Sequence, residues 1–308
     1  MAPKPVIRVG HLRITDHLIL GVTLNKLAAG SEKFQNFDLE TQAFSGWNPT
    51  SDALRNGAID AACILAPLAM ELFHSGVKIR MVMQTHKSGS IIVTNKRANI
   101  KTMQDFKGKT VLIPHYLSVH NMLFDKMLRD QGIDVGVNSD VTFEVVAPAD
   151  IPEIIEWDEK GSVGGFIVAE PFGTQVVKAG YGEEFALSKD IWPNHPCCVL
   201  VVKEDILNQN PDGVQELVSS LVASGLYVAQ NPDGAAEVGA KFLNQDVNVI
   251  RHVLTTPRGR VTTDELFPDF SGLDQLQTYL TSTIHALSDK ISLDQFVVPK
   301  FAEKAGAK

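Results

Sequence analysis

The side chains of this 308-residue chain that could bind or transform a ligand are histidines, hydroxyls, a tryptophan and three cysteines. His115, His120 and His195 raise the question of a zinc or iron site. The first two are five positions apart, which is not the i, i+4 spacing that places two ligands on one helical face. We therefore expect no metal ion and no cofactor. His115 and His195 are either hydrogen-bond donors to a ligand or structural histidines.

The cysteines give no support for a catalytic or disulfide role. Cys63 lies in an apolar run, Cys197 is adjacent to Cys198, and no CxxC spacing occurs in the sequence. An odd count with one vicinal pair is typical of buried thiols. The GxSxG motif is missing as well, and no serine or cysteine has a recognisable His and Asp partner. We expect no catalytic residue and no enzymatic activity.

Trp47 stands between a predicted strand and a predicted helix opened by Pro49. A ring of that size in a short connection either walls a ligand cavity or packs on the core. Thr50 and Ser51 follow at the helix N-terminus, where hydroxyl and backbone N–H groups converge on an anion. For these two residues the alternative is ordinary helix capping.

Short apolar runs alternate with helical segments from Val6 to about Glu204, and only helices follow. Asp16 is the predicted N-cap of the first helix, and Asn210-Pro-Asp-Gly and Asn231-Pro-Asp-Gly are each predicted to start a later one. Strands separated by such helices form βαβ units, so we predict an α/β fold with mostly parallel sheets. Ligands of these sheets bind beyond the carboxyl ends of the strands. This rule, together with a segment where the chain crosses between lobes, selects the candidate ligand contacts His11, Arg13, Thr15, Trp47, Thr50, Ser51, Pro67, His115, Ser118, Glu170 and His195.

The length predicts about two domains, yet the sequence has no Ser/Gly-rich linker. We therefore expect the chain to cross between two lobes along the sheets themselves, near residues 88–94 and 196–202. Lobe I then comprises residues 1–94 and 198–308, and lobe II is the inserted stretch 95–197. A cleft between two such lobes is a common place for a small-molecule site.

Charge and hydropathy exclude several partners. The 28 basic and 36 acidic side chains give a net charge of −8, which disfavours nucleic acid and anionic membrane surfaces. No apolar run approaches the 18 residues of a membrane span. The N-terminus does not have the pattern of a secretory signal, so an exported form would have lost its leader.

Several segments, taken in their order and spacing, resemble the type II substrate-binding proteins of ABC importers. The similarity is to the nitrate, sulfonate and bicarbonate branch, which also includes binders of thiamine-pyrimidine precursors. It covers nearly the whole chain. The segments that carry it most clearly are residues 10–16, 45–54, 56–61, 165–172 and 190–196.

The resemblance implies a two-lobed type II periplasmic-binding-protein fold with the ligand cleft between the lobes. It implies a receptor that closes on a small polar or anionic ligand of the nitrate, bicarbonate or sulfonate kind and docks on an ABC permease. By position, it assigns ligand contacts to Trp47, Thr50 and Ser51 in the first lobe and to His115, Glu170 and His195 in the second lobe and crossover.

We further expect a monomer in the periplasm or another extracytoplasmic compartment. Two alternatives stay open: a ligand-sensing module for a signalling or ATPase partner, and a protein that binds or synthesises a pyrimidine precursor on the same fold. The bare pair Cys197 and Cys198 lacks the longer cysteine run of the pyrimidine-synthesising enzymes. Arg13 is the one clear basic residue in the strand-end loops, which weakens the case for an anion.

Overall fold

Twelve strands and fourteen α-helices occur in residues 4–136 and 138–308, the part of the chain that the computed structural model describes. The strands are β1 Val6–His11, β2 Asp38–Ala43, β3 Ala61–Leu65, β4 Ile79–Gln84, β5 Lys87–Ser88, β6 Ser90–Asn95, β7 Thr110–Ile113, β8 Thr142–Val145, β9 Val163–Ala169, β10 Gly182–Leu187, β11 Cys198–Lys203 and β12 Val261–Thr262.

The helices flank these strands and then fill the C-terminal part of the chain. They are α1 Leu18–Ala28, α2 Trp47–Asn56, α3 Ala66–His74, α4 Val119–Arg129, α5 Ile151–Trp157, α6 Phe172–Ala179, α7 Ser188–Ile191, α8 Glu204–Gln209, α9 Pro211–Gln230, α10 Pro232–Leu243, α11 Val247–Thr255, α12 Phe270–Ser282, α13 Leu293–Phe296 and α14 Lys300–Lys304. Short 3₁₀ turns cover Thr15–His17, Lys96–Ala98 and Met103–Phe106.

Two five-stranded sheets form the centres of the two lobes. The strand order is β2-β1-β3-β11-β4 in the first sheet and β10-β6-β9-β7-β8 in the second. Four strands of each sheet run in one direction, and β11 or β6 runs against them. Each reversed strand is the first one after the chain arrives from the other sheet. The prediction of mostly parallel sheets is confirmed, with this one antiparallel strand in each.

The first crossing between the lobes lies earlier than the sequence suggested. Strand β6 pairs with β9 and β10 in the second sheet, whereas β4 ends in the first sheet at Gln84. An expected boundary after residue 94 would separate β6 from its own sheet. Its apolar run was compatible with either sheet, because periodicity does not identify a strand's partners. We propose residues 85–89 as the first boundary and retain the second at 197.

Two helix starts differ from the predictions at positions that matter for the site. Asp16 is not the N-cap of α1, because a 3₁₀ turn covers Thr15–His17 and the helix begins at Leu18. Helix α2 begins at Trp47 rather than at Pro49. Proline fits the first turn of a helix because its missing N–H would have no intrahelical partner there. Trp47 therefore lies in the helix and not in the preceding loop.

The interior is built from the central strands. Every residue of β3 and β9 is buried, as expected for strands covered on both faces. Cys63 in β3, and Cys197 and Cys198 at the start of β11, are free and buried. The carboxyl ends of the strands and the crossing segments therefore meet in an interior that contains few charged groups. A polar side chain in that region needs an internal partner or a ligand.

Candidate functional site

The two lobes contact each other through the loops that follow their strands. The backbone N–H and the hydroxyl of Thr15, in the first lobe, both donate to the carbonyl oxygen of Glu170, in the second, over 2.8 Å. Nearer the surface, His115 Nε2 lies 3.1 Å from Asn48 Oδ1 at the start of α2. The loops that follow strands of the two sheets therefore contact each other directly.

A cavity of about 250 Å³ opens at the rim of this cleft. Its first-lobe wall comes from the loops after β1 and β2, and its second-lobe wall comes from Pro148, Ala149 and Phe172. Arg13 lines the cavity and is exposed. It is the basic side chain among the lining residues, so a negatively charged ligand entering the cleft would meet it first.

Asp16, His86 and Cys197 form a fully buried polar cluster at the inner end of the cleft. Asp16 Oδ2 lies 3.0 Å from His86 Nε2 and 4.0 Å from Cys197 Sγ. Burial lowers the pKa of His86, but the Asp16 carboxylate and the Cys197 sulfur outweigh that effect and raise it to about 10. Burial raises the pKa of Asp16 and so opposes the ion pair. The carboxylate and the sulfur thus both favour the protonated form of His86, whereas burial opposes every charge in the cluster.

Two further histidines are buried in the same region. Ser90 Oγ and His120 Nε2 are 2.8 Å apart, and His195 Nδ1 lies 3.2 Å from the Pro196 carbonyl oxygen. Burial lowers the pKa of His120 to about 3 and that of His195 to about 4. Both rings are neutral at physiological pH. His195 Nδ1 donates to the carbonyl, so its Nε2 offers a ligand a lone pair. The partner of His120 is a hydroxyl, so its Nδ1 offers either an N–H or a lone pair.

Several buried polar atoms in and around this region have no hydrogen-bond partner among the described residues. They include Trp47 Nε1, both polar atoms of the Gln84 amide, Thr85 Oγ1, Ser88 Oγ, His120 Nδ1 and His195 Nε2. Leaving a buried polar atom unpaired costs about 1–3 kcal/mol. Most native buried polar groups are paired, so these atoms are the ones in the described residues that a further hydrogen-bond partner would satisfy.

The Glu170 carboxylate forms a buried ion pair with Arg260, which the sequence did not predict. Its carboxylate lies 2.6 Å from Arg260 Nη1 and accepts from the backbone N–H and hydroxyl of Thr174. Arg260 Nη2 also bonds Glu184 over 2.7 Å. Glu170 therefore contacts the first lobe twice, through its carboxylate at Arg260 and through its backbone carbonyl at Thr15. The charge of Arg260 is thus matched by two carboxylates.

The predicted contacts on α2, which are Trp47, Thr50 and Ser51, are all buried against other parts of the protein. Trp47 is 2% exposed, and its ring meets His17 edge-on at 6.0 Å. Thr50 and Ser51 donate to carbonyls of their own helical turn, at Gly46 and Asn48. These bonds are not N-caps, because the N-cap of α2 is Gly46 and no side chain caps this helix.

His11, Ser118 and Pro67 also have structural partners. The His11 ring stacks on Phe242 at 4.8 Å. Ser118 caps α4 and donates to the His115 carbonyl, and Pro67 is buried in the first turn of α3. The roles of all these residues toward a ligand stay predictions.

The sequence analysis missed Asp16 and His86 as site residues, and it treated Cys197 as a packing residue. His86 comes two positions after the end of β4, so the strand-end rule could have selected it. Asp16 was assigned to capping. Asp16 and His86 are 70 positions apart in the sequence, and His86 and Cys197 are 111 positions apart. A cluster of residues this far apart leaves no local spacing pattern.

The fold, with its two mixed five-stranded sheets flanked by helices, is that of the type II periplasmic binding proteins. Within that class, the chain belongs to the NMT1-like family, whose pattern matches residues 1–244. In the described part of the chain, no helix is both long and apolar enough to span a bilayer.

Solved structures resemble the chain over nearly its whole length. The ligand-binding component of an ABC-type import system from Staphylococcus aureus, solved with zinc bound, is 26% identical, with a TM-score of 0.86. That alignment covers 98% of this chain and 99% of the other. The periplasmic nitrate-binding protein NrtA from Synechocystis has a TM-score of 0.85 at 16% identity, over 98% of this chain and 88% of the other. The second likeness shows the fold alone.

Curated relatives match over shorter stretches. The nitrate import ATP-binding protein NrtC of Synechocystis sp. is 29% identical over 198 residues, which is 59% of this chain and 29% of that protein. The nitrate/nitrite binding protein NrtA of Nostoc sp. is 23% identical over 70% of this chain and 52% of its own length. The chain thus spans between about a third and a half of these relatives. An enzyme also has this fold: the desulfurization enzyme DszB, with a TM-score of 0.67 at 14% identity.

Proposed function

We propose that this protein is the substrate-binding component of an ABC import system and holds a small ligand between its two lobes. The observation that carries the proposal is the buried set of unpaired donors and acceptors between the strand ends of the two sheets. The full-length similarity to the Staphylococcus aureus ligand-binding component supports it. A binding protein of this architecture closes around its ligand by a hinge motion.

The ligand we propose is small and polar or anionic, of the nitrate, bicarbonate or sulfonate kind. Relatives named for nitrate and bicarbonate transport support this class. The available donors are neutral groups, such as Trp47 Nε1 and, in the tautomer protonated there, His120 Nδ1, with Arg13 at the cleft rim. Neutral donors can hold a small anion without a full counter-charge inside the site.

The partners follow from the transport role. We propose a membrane permease and its ATPase as partners, and the periplasm or another extracytoplasmic compartment as the location. The similarity to an ATP-binding import protein supports the ATPase connection. We propose no enzymatic activity, since the relatives described are binding and transport proteins and the enzyme among the fold neighbours is only 14% identical.

A ligand screen tests this function directly. The purified chain is unfolded thermally with nitrate, bicarbonate, alkanesulfonates, taurine, aromatic acids and pyrimidine precursors, each against a matched salt control. A specific ligand at 100 times its Kd should stabilise the protein by about 2.7 kcal/mol. One member of the panel is expected to raise the midpoint. If none of them does, the proposed ligand class is wrong.

A further inference from the structure

We propose that Asp16, His86 and Cys197 bind a divalent transition-metal ion of the zinc class. They offer a carboxylate oxygen, an imidazole nitrogen and a sulfur, and these atoms, together with Cys198 Sγ, lie within 4.8 Å of one another. Mixed oxygen, nitrogen and sulfur donors are typical of Zn²⁺ sites. Mg²⁺ and Ca²⁺ prefer oxygen ligands alone. The donor set therefore selects a borderline or soft cation.

The distances in the cluster fit a tetrahedral ion. Zinc bonds of about 2.0–2.2 Å to oxygen and nitrogen and about 2.3 Å to sulfur place ligand atoms roughly 3.3–3.7 Å apart. In the structure Asp16 Oδ2 is 3.0 Å from His86 Nε2 and 4.0 Å from Cys197 Sγ. The first of these distances is slightly below the tetrahedral range and the second is slightly above it, so a bound ion would draw Asp16 Oδ2 and Cys197 Sγ together.

The hydrogen bonding of the cluster is incomplete without a further group. His86 Nε2 lies 3.0 Å from the Asp16 carboxylate, which needs a proton on the nitrogen, and 3.2 Å from the Cys198 backbone N–H, which needs a lone pair. One nitrogen cannot satisfy both contacts. Asp16 Oδ1 and His86 Nδ1 are buried with no hydrogen-bond partner in the described residues. A cation bound to Nε2 and Oδ2 removes the competition for the proton.

Charge balance favours the ion as well. A divalent cation with one carboxylate, one thiolate and one neutral imidazole has no net charge. This matters because Asp16, His86 and Cys197 are all fully buried, and an uncompensated charge in such a place costs several kcal/mol. The three protein ligands leave a fourth position, within reach of Cys198 Sγ, for another donor.

The three metal-binding side chains lie next to regular elements of the first lobe, at the segments where the chain passes between the lobes. Asp16 is in the 3₁₀ turn after β1, and His86 and Cys197 flank the paired strands β4 and β11. Gly89 has φ +91°, and a Cβ there would lie 2.9 Å from Asp16 Oδ1 and 3.2 Å from His86 Nδ1. Glycine at this position leaves room for both ligand side chains. Ligands on rigid elements with defined neighbours make precise metal sites.

The metal site goes beyond the proposed transport role, and its test uses no transport ligand, so either can fail alone. The full chain is reduced, freed of metal with a chelator and titrated with Co²⁺, then with competing Zn²⁺. We expect one ion per chain, a thiolate-to-cobalt charge-transfer band, and displacement of cobalt by zinc. Cys197→Ser should weaken the band, since only Cys198 could then supply a thiolate. Cys197→Ser and Asp16→Asn should each weaken Zn²⁺ binding by about 100-fold, the scale set even by outer partners of a metal ligand.

Cys63→Ser is the matched control, because Cys63 is an equally buried thiol in β3, outside the cluster. It should bind zinc as the unaltered chain does. The overturning results are no binding of either metal, or equal binding by the Cys197→Ser and Cys63→Ser variants.

X-ray absorption on the zinc-loaded unaltered chain supplies a readout that depends on no variant's folding. We expect sulfur at about 2.3 Å beside nitrogen or oxygen at about 2.0–2.2 Å. A spectrum without sulfur would overturn the assignment.

Discussion

His195 illustrates how a single buried ring can serve the ligand and the fold. Its Nδ1 lies near the Pro196 carbonyl and its Nε2 has no partner among the described residues. We predict that His195→Ala weakens ligand binding at least tenfold, because a buried donor or acceptor to the ligand is lost. Isothermal titration with the ligand from the screen measures the change. His252→Ala, a partly exposed histidine on α11, is the control and should bind normally.

A purely structural His195 would behave differently. His195→Ala would then lower the free energy of unfolding and leave the dissociation constant where it was. That pattern would remove His195 from the ligand site.

The pair of Glu170 and Arg260 makes a prediction about stability. Both side chains are buried, and removing one member of a buried pair strands the other charge, at a cost of about 3–5 kcal/mol. Arg260→Ala should therefore lower the free energy of unfolding by about that amount in urea titrations.

Arg8→Ala is the comparison for this substitution. Arg8 also pairs with an aspartate, Asp60, but its side chain is 43% exposed, so the expected loss is about 1 kcal/mol or less. Equal losses for the two variants would show that burial does not govern these pairs.

At the residue level, the sequence predicted the cleft better than its innermost chemistry. Loops after strands could be identified, because apolar runs indicate strands and ligands bind at their carboxyl ends. The contact of Asp16 with His86 and Cys197 could not be identified from the sequence, because it depends on which strands are neighbours in the sheet. A capping role for Asp16 was a reasonable local interpretation that the 3₁₀ turn overrides.

At the scale of elements, two helices with the same opening sequence differ in their caps. Asn210-Pro-Asp-Gly begins α9 and Asn231-Pro-Asp-Gly begins α10. Asn210 Oδ1 accepts from the Gly213 N–H over 3.1 Å, whereas the Asn231 side chain makes no cap bond. The repeat was predicted to start two helices, and both starts are confirmed. The difference in capping arises from the local geometry.

This difference predicts unequal effects of one substitution. Asn210→Ala should lower the free energy of unfolding by about 1 kcal/mol, the usual value of an N-cap side chain. Asn231→Ala should lower the free energy of unfolding by only about 0.3 kcal/mol, because no cap bond is lost. Chemical denaturation of both variants measures the difference. Similar losses at the two positions would contradict the observed caps.

The strands show the limit of prediction from periodicity. The apolar strands could be expected from the sequence, because a buried strand needs a short apolar run. The half-exposed edge strand β10 and the two-residue strands β5 and β12 could not. The lobe to which β6 belongs was not, because Ile91 and its neighbours suit either sheet. The direction of a strand in its sheet could not be predicted either. The strands that arrive from the opposite lobe, β6 and β11, run antiparallel to their neighbours, and the sequence does not show which strands these are.

At the scale of the whole molecule, the account rests on two lobes that share one ligand. Trp47 comes from the first lobe and His120 from the second, and each has a buried polar atom without a partner in the described residues. If the ligand lies between them, both side chains contribute to its binding. Trp157, which is 72% exposed at the end of α5, provides a matched tryptophan away from the cleft.

The most direct measurement is isothermal titration of the ligand found in the screen against Trp47→Ala, His120→Ala and Trp157→Ala. The account predicts that the first two each weaken binding at least tenfold, about 1.4 kcal/mol, while the third binds as the unaltered chain does. Circular dichroism confirms that each variant is folded. Unchanged affinity in Trp47→Ala or in His120→Ala would contradict a ligand held between the two lobes.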